Sequence, residues 1–489
     1  MGGYHGCMTD VVVVGAGPNG LAAAVVLAAA GLQVEVHEAE PTPGGGARTA
    51  ELTLPGFRHD VCSAVHPLGL ASPFFRAFDL AAHGVELLRP DLSFAHPLDG
   101  GRAGLAWQDL DRTAAGLGRD GPGWRSLFGP LVDRWRSVVA TAMSDLRTPP
   151  ADPITALRLG IRALEQGSPL WNARFREDLA PALLTGAAAH VISPPRGPLP
   201  AAAGLLLTTL AHAVGWPLPR GGTQAITDAM VRAIQARGGR VVTGHRVDSL
   251  AELPRARAVL LDLTPAGLLR IADLPANYAR WLRAYRYGGA ACKVDFALSG
   301  PVPWQAAGCD RAPTLHLVGA RAEAVAAERA VAAGRHAERP YVLVAQPGVL
   351  DPSRAPRGRH TLWTYAHVPN GSTVDVTAAI TAQLERFAPG FRDLVLASNV
   401  ITAARQERHN ANYVGGDIGA GALSPWQTVM RPVPRWDPYR TPIPGVYLCS
   451  AATPPGAGVH GMAGVHAARR ALRQRFGITT DPLRLVRGS

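Results

Sequence analysis

The residues with the plainest chemical meaning are Gly15, Gly17 and Gly20, spaced Gly-x-Gly-x-x-Gly, with Glu38 18 residues beyond the last of them. Glycines at this spacing let a chain turn tightly and bring backbone N–H groups up to a pyrophosphate, while the following helix adds the positive potential of its N-terminus. Pro18 and Asn19 complete the turn. A carboxylate at Glu38 accepts hydrogen bonds from ribose hydroxyls and repels a 2′-phosphate, so NADP is disfavoured and FAD or NAD remain. After Glu38 and Ala39 comes a second glycine run, Gly44-Gly45-Gly46-Ala47-Arg48, in which the bare backbone can pass close to phosphates and Arg48 can meet their charge.

Lys293 is the only lysine among 49 basic residues, in Gly288-Gly-Ala-Ala-Cys-Lys-Val-Asp-Phe296. Where almost every cation is arginine, a surviving ammonium marks a place where the compact group matters. The net charge of +12 is otherwise an arginine bias spread along the chain without any basic run, and nucleic acid is not expected as a partner. Gly456-x-Gly458-x-x-Gly461 repeats the glycine spacing, but about 28 residues follow it, too few for a helix, a second strand and an acidic closure. It is not an independent NAD site. Cys7, Cys62, Cys292, Cys309 and Cys449 never form a C-x-x-C pair, so neither a metal site nor a redox disulfide is expected, and a reducing cytoplasm fits best. The opening segment lacks a signal-peptide pattern, and Met8 reads as a start. Apolar runs fall short of the roughly 18 residues of a membrane span, although peripheral contact between the arginine-rich surface and an anionic membrane stays open.

These residues need elements to hold them, and 489 residues with 47% hydrophobic and 18% charged content supply two or three folded units. The apolar run Val11–Val14, the glycine turn, an Ala/Leu/Val helix to Ala30 and the strand Val34–His37 read as the start of a doubly wound parallel sheet. From Phe57 the pattern loosens into helical stretches such as Ile154–Gln166 and the apolar Ala201–Trp216. Regular texture returns with a helix from Gln224 to Arg237 and strands Arg240–Thr243 and Ala258–Leu263. Cys292–Leu298, Thr314–Val318, Tyr341–Ala345 and Thr361–Ala366 predict a mixed or antiparallel sheet, and Gly445–Cys449 with a helix from Met462 to Arg475 closes the chain.

Val11–Thr49 resembles the flavin-binding signature of the glutathione-reductase-type family in its amine oxidase and phytoene desaturase branch. Leu54–Pro67, Asn412–Asp417 and Pro444–Met462 are similar to segments of the phytoene-dehydrogenase-like oxidoreductases that are relatives of pyridine nucleotide-disulfide oxidoreductase domain-containing protein 2. The resemblance implies an α/β protein: a glutathione-reductase-type FAD-binding Rossmann-like domain with a discontinuous α+β substrate domain. Residues 8–70, 215–275 and 440–480 would form the FAD domain; residues 71–214 and 276–439 would form the substrate domain, with a helical insertion and a mixed sheet. It implies FAD contacts from Val247 through its backbone, and from Ala452, Gly458, His460, Gly461 and Met462, where a helix N-terminus would stabilise the reduced flavin. Relatives often carry an acidic residue just before that segment, where this chain has Ser450-Ala451-Ala452.

The same resemblance makes Lys293, His59 and His66 candidate catalytic residues near the isoalloxazine, with Asp60 placed to orient His59, and puts Tyr413, Trp426 and Gln427 near the substrate. The implied activity is transfer of hydride from a small apolar, polyene or lipid-like substrate to flavin N5, with oxygen, a quinone or another carrier as acceptor. A flavin amine oxidase and a flavin-loaded regulatory or binding protein without turnover are the alternatives, and a homo-oligomer stays open.

Overall fold

Val11–Val14 is four consecutive valines at 0–5% exposure, a strand that has an apolar layer on both faces. In this computed structural model, which describes residues 9–488, it is the middle of a five-stranded parallel sheet. The order is Val446–Leu448, Ala258–Leu261, Val11–Val14, Val34–His37, Arg240–Val242, and Val11 stands opposite both Ala258 and Val34. Cys7 and the start expected at Met8 lie outside the described residues.

Helix Pro18–Ala29 starts on a proline, whose missing N–H costs nothing in a first turn, and is buried from Asn19 to Ala28. It has no polar stripe because Gln224–Gln235 and Met462–Ala471 pack against it as well as the sheet. Gly464 permits that contact: a Cβ there would stand 1.9 Å from the carbonyl oxygen of Asn19.

The second sheet has seven strands in the order Val395–Ile401, Ala290–Leu298, His360–Val368, Val342–Ala345, Thr314–Leu317, Leu92–Leu98, Arg102–Trp107. All neighbours are antiparallel except Thr314–Leu317 with Leu92–Leu98. Two of these strands fall inside residues 71–214, read from sequence as helical insertion. Every residue of Leu92–Leu98 is buried, so no alternation marks it, and Ser93, His96 and Pro97 break its apolar run. The short helix Pro73–Phe78 precedes this hairpin, and the main run of helices follows it. Helices between Leu110 and Ala213 enclose their own core, in which Trp124, Phe128, Leu183 and Leu205 pack with Phe94 and Trp216. No helix among the described residues is long and apolar enough to cross a membrane.

Candidate cofactor and substrate site

The glycine turn is built around a carboxyl that sequence reasoning missed. Asp262, at the end of the neighbouring strand, accepts the Gly20 N–H at 3.0 Å through Oδ2. A Cβ on Gly17 would stand 2.6 Å from that oxygen, and one on Gly20 would stand 2.1 Å from the Gly15 carbonyl. The glycines therefore make room for Asp262 as well as for a ligand. Burial, reinforced by the charge of Glu38 against the Gly20 hydrogen bond, pushes the Asp262 pKa up to about 7. Glu38 locks the other side of the turn, accepting from the Ala16 N–H at 2.7 Å and the Glu40 N–H at 2.9 Å. Each carboxylate oxygen keeps a lone pair for a ribose hydroxyl.

A cavity of about 740 Å³ runs from this turn toward the seven-stranded sheet. Gly15, Gly17, Pro18, Asn19, Glu38 and Ala39 line its nucleotide end; Gly45, Gly46, Arg48, His66, Val247, Tyr413 and Gly458 also reach its wall. Arg48 is partly engaged, donating from Nε to Gly45 O at 2.9 Å and from Nη2 to His409 O at 3.0 Å. Asn19 Oδ1, His66 Nδ1, Thr264 Oγ1 and Arg431 Nε are buried on this wall without a protein partner, as atoms are whose partner is a ligand or water. The cradle, the carboxylate and these open polar atoms fit FAD.

The far end is different in character. Leu146, Leu159, Leu199, Ala202 and Leu206 from the helical region face Leu343, Trp363 and Tyr365 of the sheet. His190 stands on this wall with its Nε2 2.9 Å from His316 Nε2. Burial, then the charge of His367, lowers its pKa to about 3, so its ring is neutral. Asp417 also lines the cavity, and three backbone N–H groups, of Gly288, Gly419 and Gly421, already bond it.

Several expected site residues are elsewhere. Lys293 and His59 are not on the cavity wall. The Lys293 ammonium pairs with Asp295, two positions along the same strand face, and lies 5.7 Å from the Trp363 ring centroid, one layer behind the lining. His59 sits 3.4 Å from Asp295 Oδ1, with Nε2 2.8 Å from Thr53 Oγ1. Asp60 does not orient His59; it binds Arg354 Nη2 at 2.7 Å and the Thr223 N–H at 2.8 Å. Burial alone would raise the Asp60 pKa, but the Arg354 charge and these hydrogen bonds outweigh it and hold the pKa low. His66 does reach the wall; burial brings it down to about 4, and its Nε2 meets Thr223 Oγ1 at 2.9 Å.

Gly20, Ala47, Ala452, Gly461 and Met462 stand behind the lining. His460 braces the second glycine turn, donating from Nε2 to Gly456 O at 3.1 Å and accepting the Met462 N–H at Nδ1. Gln427 spends its amide on Arg286 and Ala422 backbone, while Trp426 is 60% exposed and off the wall. The residues missed from sequence, Asp262, His190 and Arg431, carried no local motif; the end of a parallel strand beside the first one was the only signal for Asp262.

Comparison with known proteins agrees with this geometry. The family model for an NAD(P)-binding Rossmann-like domain matches residues 13–80. The rat pyridine nucleotide-disulfide oxidoreductase domain-containing protein 2 is 27% identical, over 96% of this chain and 95% of its own. The neurosporene-forming phytoene desaturase of Rhodobacter capsulatus is 26% identical over 94% and 92%. A triple mutant of putrescine oxidase shares the fold, with a TM-score of 0.58, 17% identity and coverage of 96% and 99%. Over nearly its whole length the chain is similar to these two relatives, and it shares its fold with putrescine oxidase.

Proposed function

We propose that this FAD-dependent oxidoreductase is a phytoene dehydrogenase-like desaturase acting on an extended apolar molecule. The observation that carries the reading is the far end of the cavity, walled by leucines and alanines of three helices and by Trp363 and Tyr365. An amine substrate would bring a cation into this end, and the carboxylate of Asp417 is already held by three N–H groups. Lys293, the main support for an amine oxidase, is neutralised by Asp295 behind the wall.

Bound FAD supplies a two-electron acceptor whose N5 takes hydride from carbon. The chain's own work is to hold and shield. Gly15–Gly20 and Glu38 hold the nucleotide end, and the turn Gly456–Val459 lines the cavity ahead of helix Met462–Ala471. The apolar wall excludes water and holds the substrate lengthwise. A desaturation removes one hydrogen as hydride and its neighbour as a proton, which leaves to bulk water; His190, whose pKa of about 3 makes it too weak a base to keep that proton, lines the wall as a neutral ring tied to His316. Oxygen or a quinone would take the electrons in turn.

The test is anaerobic reduction of the bound flavin. A polyene or lipid extract should bleach the flavin absorbance, and simple amines should not. Bleaching by amines alone would overturn the reading in favour of amine oxidation, and a purified protein that takes up no FAD would remove its foundation. If no extract reduces the flavin while a protein partner binds, a regulatory role replaces turnover.

A further inference from the structure

Two polar atoms at the apolar end of the cavity have no partner among the described residues and are not enclosed by protein: His190 Nδ1 and the hydroxyl of Tyr365. His190 follows helix Leu179–Ala188 and is fixed twice. Its Nε2 stands 2.9 Å from His316 Nε2, and its ring meets Trp216 edge-on, with centroids 5.1 Å apart at 80°. Burial pushes the Tyr365 pKa well up, so its hydroxyl keeps the proton. The sheet spaces the two groups. His316 stands opposite Leu343, and Leu343 opposite Tyr365, so the three share one row and one sheet face. Two strand spacings, roughly 10 Å, separate His316 from Tyr365.

Which nitrogen of His190 carries the proton follows from its partner. Both rings are neutral: burial brings His190 down to about 3 and holds His316 well below the ordinary imidazole value. A hydrogen bond between two neutral imidazoles joins one N–H to one lone pair. His316 Nδ1 is closed in by helix Leu179–Ala188, where a Cβ on Gly186 would stand 2.5 Å away, and it has no partner. His96 Nδ1 flanks the same glycine and makes no hydrogen bond to it. An N–H orphaned at such a place costs more than a lone pair. His316 therefore keeps its proton on Nε2 and donates to His190 Nε2, which leaves the His190 proton on Nδ1, the nitrogen open to the cavity.

We propose that His190 is a specificity-determining residue whose Nδ1–H donates to an oxygen, hydroxyl or carbonyl, carried by the otherwise apolar substrate. Tyr365 offers a second polar contact two strands away. A pure hydrocarbon would leave the N–H facing it unpaired, whereas an oxygen satisfies the donor and fixes how far the chain runs along the cavity. The inference rests on the desaturase reading and names the class of its substrate. The oxygen is a handle and takes no part in the hydrogen removal.

The experiment titrates the FAD-loaded full chain with farnesene, farnesol and farnesal, which share one isoprenoid chain and differ in ending as a hydrocarbon, an alcohol or an aldehyde. Trp216 beside His190, and Trp363 on the wall, make tryptophan fluorescence the readout. The native protein should bind farnesol and farnesal on the order of tenfold more tightly than farnesene. His190→Phe should bind all three within about twofold of one another, and His190→Asn, which returns an N–H donor, should recover part of the preference. Unchanged flavin absorbance reports that each variant is folded. Equal native affinity for the three probes, or no binding of any, overturns the proposal whatever the variants do. So does a preference that survives in His190→Phe, which would assign the oxygen to Tyr365. Flavin reduction by lipid extract in a protein that does not discriminate leaves the desaturase reading standing without the handle, and bleaching by amines alone removes both.

Discussion

Replacing Asp262 by asparagine tests the construction of the nucleotide turn. The carboxyl is buried under Gly17 and Gly20, and its folded pKa of about 7 stands above the ordinary 3.8. The folded state therefore keeps a proton that the unfolded chain releases. Stability is fullest below pH 3.8, falls as the pH rises through this window and levels off above about 7. At ~1.36 kcal/mol per pKa unit the full fall approaches ~4 kcal/mol, of which ~3 kcal/mol lies between about pH 5 and 7. Asparagine keeps an oxygen to accept the Gly20 N–H and removes the titration. Urea unfolding of native protein and Asp262→Asn across that window should give pH slopes differing by about 1.4 kcal/mol per unit at most, with the variant the more stable at pH 8. FAD affinity should follow the same sense, because an ionised Asp262 repels the pyrophosphate. Identical slopes, or a variant less stable at every pH, would mean that Asp262 is ionised in the fold and that the Gly20 hydrogen bond is made to a carboxylate.

Gly20→Ala puts a methyl 2.1 Å from the Gly15 carbonyl, a backbone clash that nothing flexible relieves; purified protein should be colourless and less stable by several kcal/mol, on the order of other overpacked sites. Arg354→Met strands the buried Asp60 and should cost ~3–5 kcal/mol. Because pairing holds the Asp60 pKa low, its contribution exists above the unfolded value and is lost as pH falls, so the stability gap between native protein and Arg354→Met, followed by urea unfolding, should narrow as the pH is lowered. Lys293→Met should likewise destabilise by ~3–5 kcal/mol, and the double variant with Asp295→Asn should recover much of it. Per bound flavin, the rate of anaerobic reduction should be unchanged in that double variant; a large loss would return the ammonium to the reaction.

Local pattern carried the first unit far. Val11–Val14, the glycine turn and Val34–His37 occupy the expected positions because short-range rules dictate them: β-branched runs for buried strands, glycine where a side chain would collide. The strand Leu92–Leu98 was illegible for the opposite reason. It is buried on both faces, its one local signal is the Asp99-Gly100-Gly101 turn into Arg102–Trp107, and its other partner, Thr314–Leu317, is more than 200 residues away.

The site divides the same way. Motif residues such as Gly17, Glu38 and Arg48 were named from spacing alone, since a phosphate cradle needs particular residue types at particular steps. Lys293 was singled out correctly as unusual, yet its meaning depended on what lay within a few ångströms, and there the fold supplied Asp295 and His59. The sequence by itself determined the dinucleotide turn, because its contacts are between near neighbours. Which side chains face the cavity, that Asp262 lies beneath the glycines, and that Ile154, Leu157, Ile161 and Leu164 are left bare were decided only by tertiary structure, since burial is a property of distant segments meeting.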